Sequence, residues 1–147
     1  MIIKEMSEIV AIEICCWKYD SQYAVYNVGG WNEALKNKWA ITDKNKRQEQ
    51  FRCVYDDSDN LIGYFRIIKN NNRIKIGLGL HPKLCGLGLG NIFLLNILNY
   101  DELKNKIIEL EVRKFNKRAI NCYKKVGFEI VNQNDDFFIM ILNNLKK

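Results

Sequence analysis

Hydrophobic and polar positions change rhythm several times along the chain, and each change marks an element. Ser7 stands before Ile9, Val10, Ile12, Glu13 and Cys16, the pattern of a helix opened by a serine cap. Residues 31–39 read as a second helical piece. Three short runs rich in aromatic and branched residues follow at 50–55, 61–68 and 73–80, separated by polar turns at 56–60 and 69–73. They predict an antiparallel meander.

Beyond residue 84 a glycine-rich turn leads into an apolar helix over 91–103, then a strand over 106–112, which is a strand, crossover helix, strand unit. Asn116 is a good N-cap, residues 117–126 form the helix it opens, and Gly127 stops that helix in a left-handed conformation. Two strands, 128–132 and 137–142, close the chain. With a short strand at the start, the order is strand, two helices, three strands, helix, strand, helix, two strands. That is an α+β domain around one mixed, mostly antiparallel sheet flanked by helices.

Composition narrows the class. The 147 residues are 48% hydrophobic and 27% charged, which suits one domain over 1–147 with a real core and excludes disordered, collagen-like and coiled-coil chains. The apolar run 92–98 is far below the roughly 18 to 20 residues of a bilayer span. Lys4, Glu5 and Glu8 break any signal-peptide core, so no membrane partner and a cytoplasmic location are expected. Five cysteines, Cys15, Cys16, Cys53, Cys85 and Cys122, match neither a zinc motif nor a disulfide framework and read as reduced, mostly buried thiols, with no metal site. The net charge of +6 points to an anionic partner without naming it. Basic residues are dispersed, and the densest group, Lys44, Lys46 and Arg47, reads as a solvated helix end or loop. Nucleic acid is not the expected partner.

Two constellations carry chemistry. The first is Gly77-Leu78-Gly79-Leu80 in a strand, followed by Cys85-Gly86-Leu87-Gly88-Leu89-Gly90 and a helix starting near Asn91. Glycines inside a strand imply a bulge or the close approach of a backbone or ligand. The glycine turn bares backbone N–H groups at a helix start, a plausible cradle for pyrophosphate. It lacks the Lys-Ser/Thr of a Walker A loop and the setting of a dinucleotide fingerprint. The second runs from Leu110-Glu111-Val112-Arg113 through Asn116, Ala119, Tyr123, Gly127 and Phe128. Asn116, Ala119 and Tyr123 share a helix face, and Glu109 and Glu111 share a strand face.

Together these segments resemble the GNAT superfamily of N-acetyltransferases. The later signature of that family, Asn-x-x-Ala-x-x-x-Tyr-x-x-x-Gly-Phe, is complete, whereas the first, Gln/Arg-x-x-Gly-x-Gly/Ala, keeps Gly88 and Gly90 but has Cys85 at its first position. The departure removes a side-chain contact and leaves the backbone cradle. The Leu-Glu-Val-Arg segment looks like the ribosomal-protein alanine N-acetyltransferase branch, although the N-terminal half has no match to it, so the branch's substrate is not carried over.

The resemblance implies acetyl-CoA as cofactor and CoA as product. It implies that Leu78, Gly79 and Leu80 pair with the pantetheine arm, that Gly86, Leu87, Gly88, Leu89, Gly90 and Asn91 bind pyrophosphate, and that Asn116 holds the cofactor near its reactive end. Glu111 is then the proton acceptor and Tyr123 the proton donor of a direct transfer to a primary amine, on a small molecule or a peptide N-terminus. A backbone N–H near residues 78–80 is the candidate oxyanion donor. The competing readings are a covalent route through Cys85 or Cys122, a non-catalytic acyl-CoA sensor or complex subunit, and a basic nucleic-acid module. A homodimer is compatible with the enzyme reading. The only histidine, His81, reads as structural, and Trp17, Tyr23, Tyr26 and Trp31 read as core, interface or acceptor-pocket residues.

Overall fold

The computed structural model describes residues 1–145. They form β1 (Ile2–Glu5), α1 (Glu8–Cys15), α2 (Trp31–Lys36), α3 (Lys44–Gln50), β2 (Phe51–Tyr55), β3 (Leu61–Asn70), β4 (Arg73–Leu80), α4 (Gly90–Leu98), β5 (Ile107–Arg113), α5 (Lys117–Val126), β6 (Glu129–Gln133) and β7 (Phe137–Asn143). The strands make one open mixed sheet in the order β1-β2-β3-β4-β5-β7-β6. β1 with β2, β2 with β3, β5 with β7 and β6 with β7 are antiparallel. β4 and β5 are parallel, which requires the crossover that α4 provides. Among the described residues, no helix is long and apolar enough to cross a membrane.

The chain packs as two compact units, Met1–Arg66 with Gly79–Lys83, and Ile67–Leu78 with Leu84 onward. In the first, the Ser7 hydroxyl accepts from the Val10 N–H at 3.3 Å, the cap expected from the sequence. α1 turns Ala11, Ile14 and Cys15 inward, where they join Met6, Trp17, Ala34, Ile41, Phe51 and Cys53. Ile9 and Ile12 of the same helix are exposed.

Of the basic group Lys44, Lys46 and Arg47, the two lysines are exposed at the start of a helix, as the sequence suggests, and Arg47 is buried instead. The group lies in α3, capped by the Asp43 carboxylate, which accepts from the Lys46 N–H at 2.9 Å. Arg47 is 95% buried in effect, at 5% exposure. Its Nη1 donates to the Ile41 carbonyl at 3.0 Å, and its guanidinium lies 5.9 Å from the centre of the Trp31 ring. A buried guanidinium is tolerable only with such partners, and they draw α3 onto the core. The second helical piece is shorter than the sequence suggests, ending at Lys36.

In the second unit, β5 alternates strictly enough to separate two faces. Ile108, Leu110 and Val112 are buried, and Glu109 and Glu111 lie on the opposite, more open side. α4 buries Phe93, Leu94, Ile97 and Leu98 and packs against α5. It ends at Leu98 rather than near residue 103. Asn144 Nδ2 donates to the carbonyls of Leu98 (3.4 Å) and Leu103 (3.1 Å), and Tyr100 N–H turns back to the Ile97 carbonyl at 2.9 Å, so the backbone groups beyond Leu98 are satisfied without helix.

Candidate active site

The glycine turn has a defined backbone. Gly86 and Gly88 have φ of 78° and 76°, while Cys85 and Leu87 between and before them stay out of the left-handed region. Alternation of this kind makes a concavity of backbone N–H groups suited to an anion. Gly90 is the first residue of α4, whose leading N–H groups have no intrahelical acceptor. A Cβ at Gly88 would meet no atom within 4 Å, so the space over the turn is open. Leu87 and its neighbours offer no cap: the residue before α4, Leu89, has no side-chain acceptor for those N–H groups. These residues fit a pyrophosphate.

α5 lies along the same turn. The Cys122 thiol donates to Asn91 Oδ1 at 3.1 Å, and a Cβ at Gly90 would come within 3.3 Å of Cys122 Sγ. Asn116 starts this helix: its Oδ1 accepts from the Ala119 N–H at 3.1 Å. Its end is set by Gly127 at φ 118°, with Phe128 N–H on the Tyr123 carbonyl (3.0 Å) and Gly127 N–H on the Lys124 carbonyl (3.1 Å). Those two bonds define a Schellman cap, and the Tyr123 and Phe128 rings, 5.8 Å apart, supply its apolar contact. The signature spacing from Asn116 to Phe128 is therefore first a description of how a helix begins and ends.

On β5, Glu111 Oε1 is 3.1 Å from Lys75 Nζ, and Glu109 Oε1 is 3.4 Å from Arg73 Nη1. Both carboxylates share a face, as their period-two spacing requires. Lys75 and Arg73 come from β4, and only the β4–β5 register reveals them as partners.

A Cβ at Gly79 would fall within the Tyr64 ring, so the packing of Tyr64 requires a glycine at this point of the Leu78, Gly79 and Leu80 segment. The Leu80 carbonyl accepts from Tyr19 Oη at 2.8 Å. His81 packs on Trp17 with ring centres 4.9 Å apart, and its Nδ1 accepts from the Lys83 N–H at 3.1 Å, a structural role. Trp17, 8% exposed, belongs to the core of the first unit, and Trp31 packs against that core.

All five cysteines are free thiols. Burial pushes Cys15 up to about 11 and Cys53 up to about 12. Burial also raises Cys85 and Cys122 above the ordinary thiol value, against smaller opposing pulls from Arg118 and Lys125. A covalent route needs a thiolate at neutral pH, and these two sites disfavour it. Among the described residues, no group of three His, Cys, Asp or Glu side chains is placed to hold a metal.

An open mixed sheet with a nested glycine turn heading a crossover helix, and a second helix laid against that turn, is the arrangement that the resemblance in sequence implies. The sequence model of the acetyltransferase (GNAT) family matches residues 8–128, and the chain belongs to that family. It is an acetyl-CoA-dependent N-acetyltransferase. Solved structures of the same fold include PseH, an N-acetyltransferase of Campylobacter jejuni in complex with acetyl coenzyme A (22% identity, 77% of this chain and 82% of that one, TM-score 0.62). A chimera of the spermidine N-acetyltransferase SpeG from Vibrio cholerae with hSSAT superposes over 98% of this chain and 97% of its own at 18% identity and TM-score 0.71. A GNAT-family acetyltransferase from Bacillus anthracis matches 97% of this chain and 93% of its own at 15% identity and TM-score 0.68. Comparison with curated proteins gives no match.

Proposed function

We propose that the chain transfers acetyl directly from acetyl-CoA to a primary amine, with Glu111 as proton acceptor and Tyr123 as proton donor. The observation that carries this reading is the seating of α5, capped by Asn116 and closed by Gly127, against the glycine turn through Cys122, Gly90 and Asn91. It joins both signature segments in one unit.

Acetyl-CoA supplies the activated thioester. The N–H groups of Gly86, Leu87, Gly88, Leu89, Gly90 and Asn91 receive its pyrophosphate, Leu78, Gly79 and Leu80 pair with its pantetheine arm, and Asn116 holds it near the reactive end. Glu111 takes the proton that the acceptor's ammonium must lose before its nitrogen can form the new C–N bond, directly or through water. To do so it exchanges its exposed partner Lys75 for the amine, a small cost for a solvent-screened pair. A backbone N–H of residues 78–80 stabilises the oxyanion. Tyr123 gives its phenolic proton to the sulfur as the C–S bond breaks. The Leu110-Glu111-Val112-Arg113 segment favours the ribosomal-protein alanine N-acetyltransferase branch for this catalytic pair, with a small amine or a peptide N-terminus as the acceptor.

The test is acetyl transfer from acetyl-CoA over a panel of amines and peptide N-termini, for the wild type and for Tyr123→Phe. Turnover that survives in Tyr123→Phe unchanged removes Tyr123 as the acid.

A further inference from the structure

We infer that Arg118 provides the cationic contact to the cofactor's pyrophosphate, reaching the glycine turn from α5 where Cys85, in the turn itself, supplies no charge. The inference rests on the acetyltransferase reading and deepens it.

Two contacts fix the geometry. A Cβ at Gly86 would lie 3.1 Å from Arg118 Nη1, and a Cβ at Gly90 would lie 3.3 Å from Cys122 Sγ. Arg118 and Cys122 are one helical turn apart on α5, and Gly86 and Gly90 are equally spaced along the loop. The helix therefore runs beside the turn, with the guanidinium at its Gly86 end. Asn116, Ala119 and Tyr123 occupy the neighbouring face, so Arg118 does not compete with the catalytic tyrosine for position. A side chain at Gly86 would crowd Nη1, and glycine leaves the guanidinium its place.

Charge supports the same reading. Cys85 is a half-buried thiol raised above its ordinary value by burial, and the Arg118 charge works against that rise, so the guanidinium is close to the first residue of the turn. The turn's N–H groups and the α4 dipole contribute partial charges only. A pyrophosphate linkage carries full negative charge on adjacent phosphates, and a guanidinium fork can bridge two of its oxygens where an ammonium cannot.

Calorimetric titration of wild type, Arg118→Gln and Arg118→Lys with CoA and with dephospho-CoA, which keeps the pyrophosphate and lacks the 3′-phosphate, tests this. Arg118 is exposed, so the unliganded variants should melt with the wild type. Arg118→Gln should weaken both ligands by the same factor, about tenfold, as for loss of a charged hydrogen bond, with Arg118→Lys in between. Wild-type affinity in Arg118→Gln overturns the inference, and so does a loss confined to CoA, which would put the side chain on the 3′-phosphate. Wild type that binds neither ligand overturns the acetyltransferase reading and this inference with it.

Discussion

The Tyr123 ring and the Tyr123 hydroxyl are separable by one substitution. The ring closes α5 against Phe128, and phenylalanine keeps that packing. Tyr123→Phe should therefore leave the fold and CoA affinity unchanged while turnover falls by about a hundredfold, the low end for general acid catalysis, in steady-state assays. Glu111→Gln should cost little stability, because a half-exposed pair with Lys75 contributes about 0–1 kcal/mol. Its rate deficit should be largest at low pH, where nearly all of the amine is protonated and a base matters most; a deficit flat with pH would move that role to water. Cys85 and Cys122, raised by burial, stay protonated at neutral pH. Alkylation by iodoacetamide should be slow at pH 7 and accelerate only as the pH rises into the alkaline range, and Cys85→Ala should retain transfer activity. Rapid alkylation at pH 7 would reopen the covalent route.

At the scale of elements, the capped termini of α1 and α5 were legible because their chemistry is local, whereas the ends of α2 and α4 were not. Asn116 reaches the Ala119 N–H three residues on, and Gly127 takes the left-handed turn one residue past the helix, so sequence spacing encodes both. Gly127→Ala should lower stability by about 1–2 kcal/mol in denaturant titrations, since it forces an L-residue to φ 118° and its Cβ to within 3.2 Å of Leu142. Features set by distant partners stayed hidden. Gly79 is explained by Tyr64, a residue fifteen positions away that only the fold brings near. Gly79→Ala should overpack the first unit and cost about 1–3 kcal/mol. The burial of Arg47 was missed because it read as solvated together with Lys44 and Lys46, and it depends on Ile41 and Trp31 meeting its guanidinium. Arg118 was not singled out in the sequence, because its approach to Gly86 depends on the packing of α5 on the turn.

For the whole molecule, the meander and the crossover followed from the order of elements, the placing of β7 between β5 and β6 did not, and the family match over residues 8–128 agrees with the signatures in the second unit. The turn, α4, β5 and α5, with Glu111, Asn116, Arg118 and Tyr123, all belong to that unit. The proposed pyrophosphate contacts therefore fall in one continuous stretch, whereas the first unit, with its buried Trp17 and Arg47, carries no comparable signature for the acceptor. The net charge of +6 is consistent with an anionic cofactor and does not choose among such ligands. A thermal-denaturation comparison of acetyl-CoA, CoA, NAD and ATP makes that choice. At about 100 times its dissociation constant, a ligand of the folded state adds roughly 2.7 kcal/mol of stability. Acetyl-CoA and CoA should raise the melting temperature while NAD and ATP leave it unchanged. No shift with either CoA species would contradict the account at its centre.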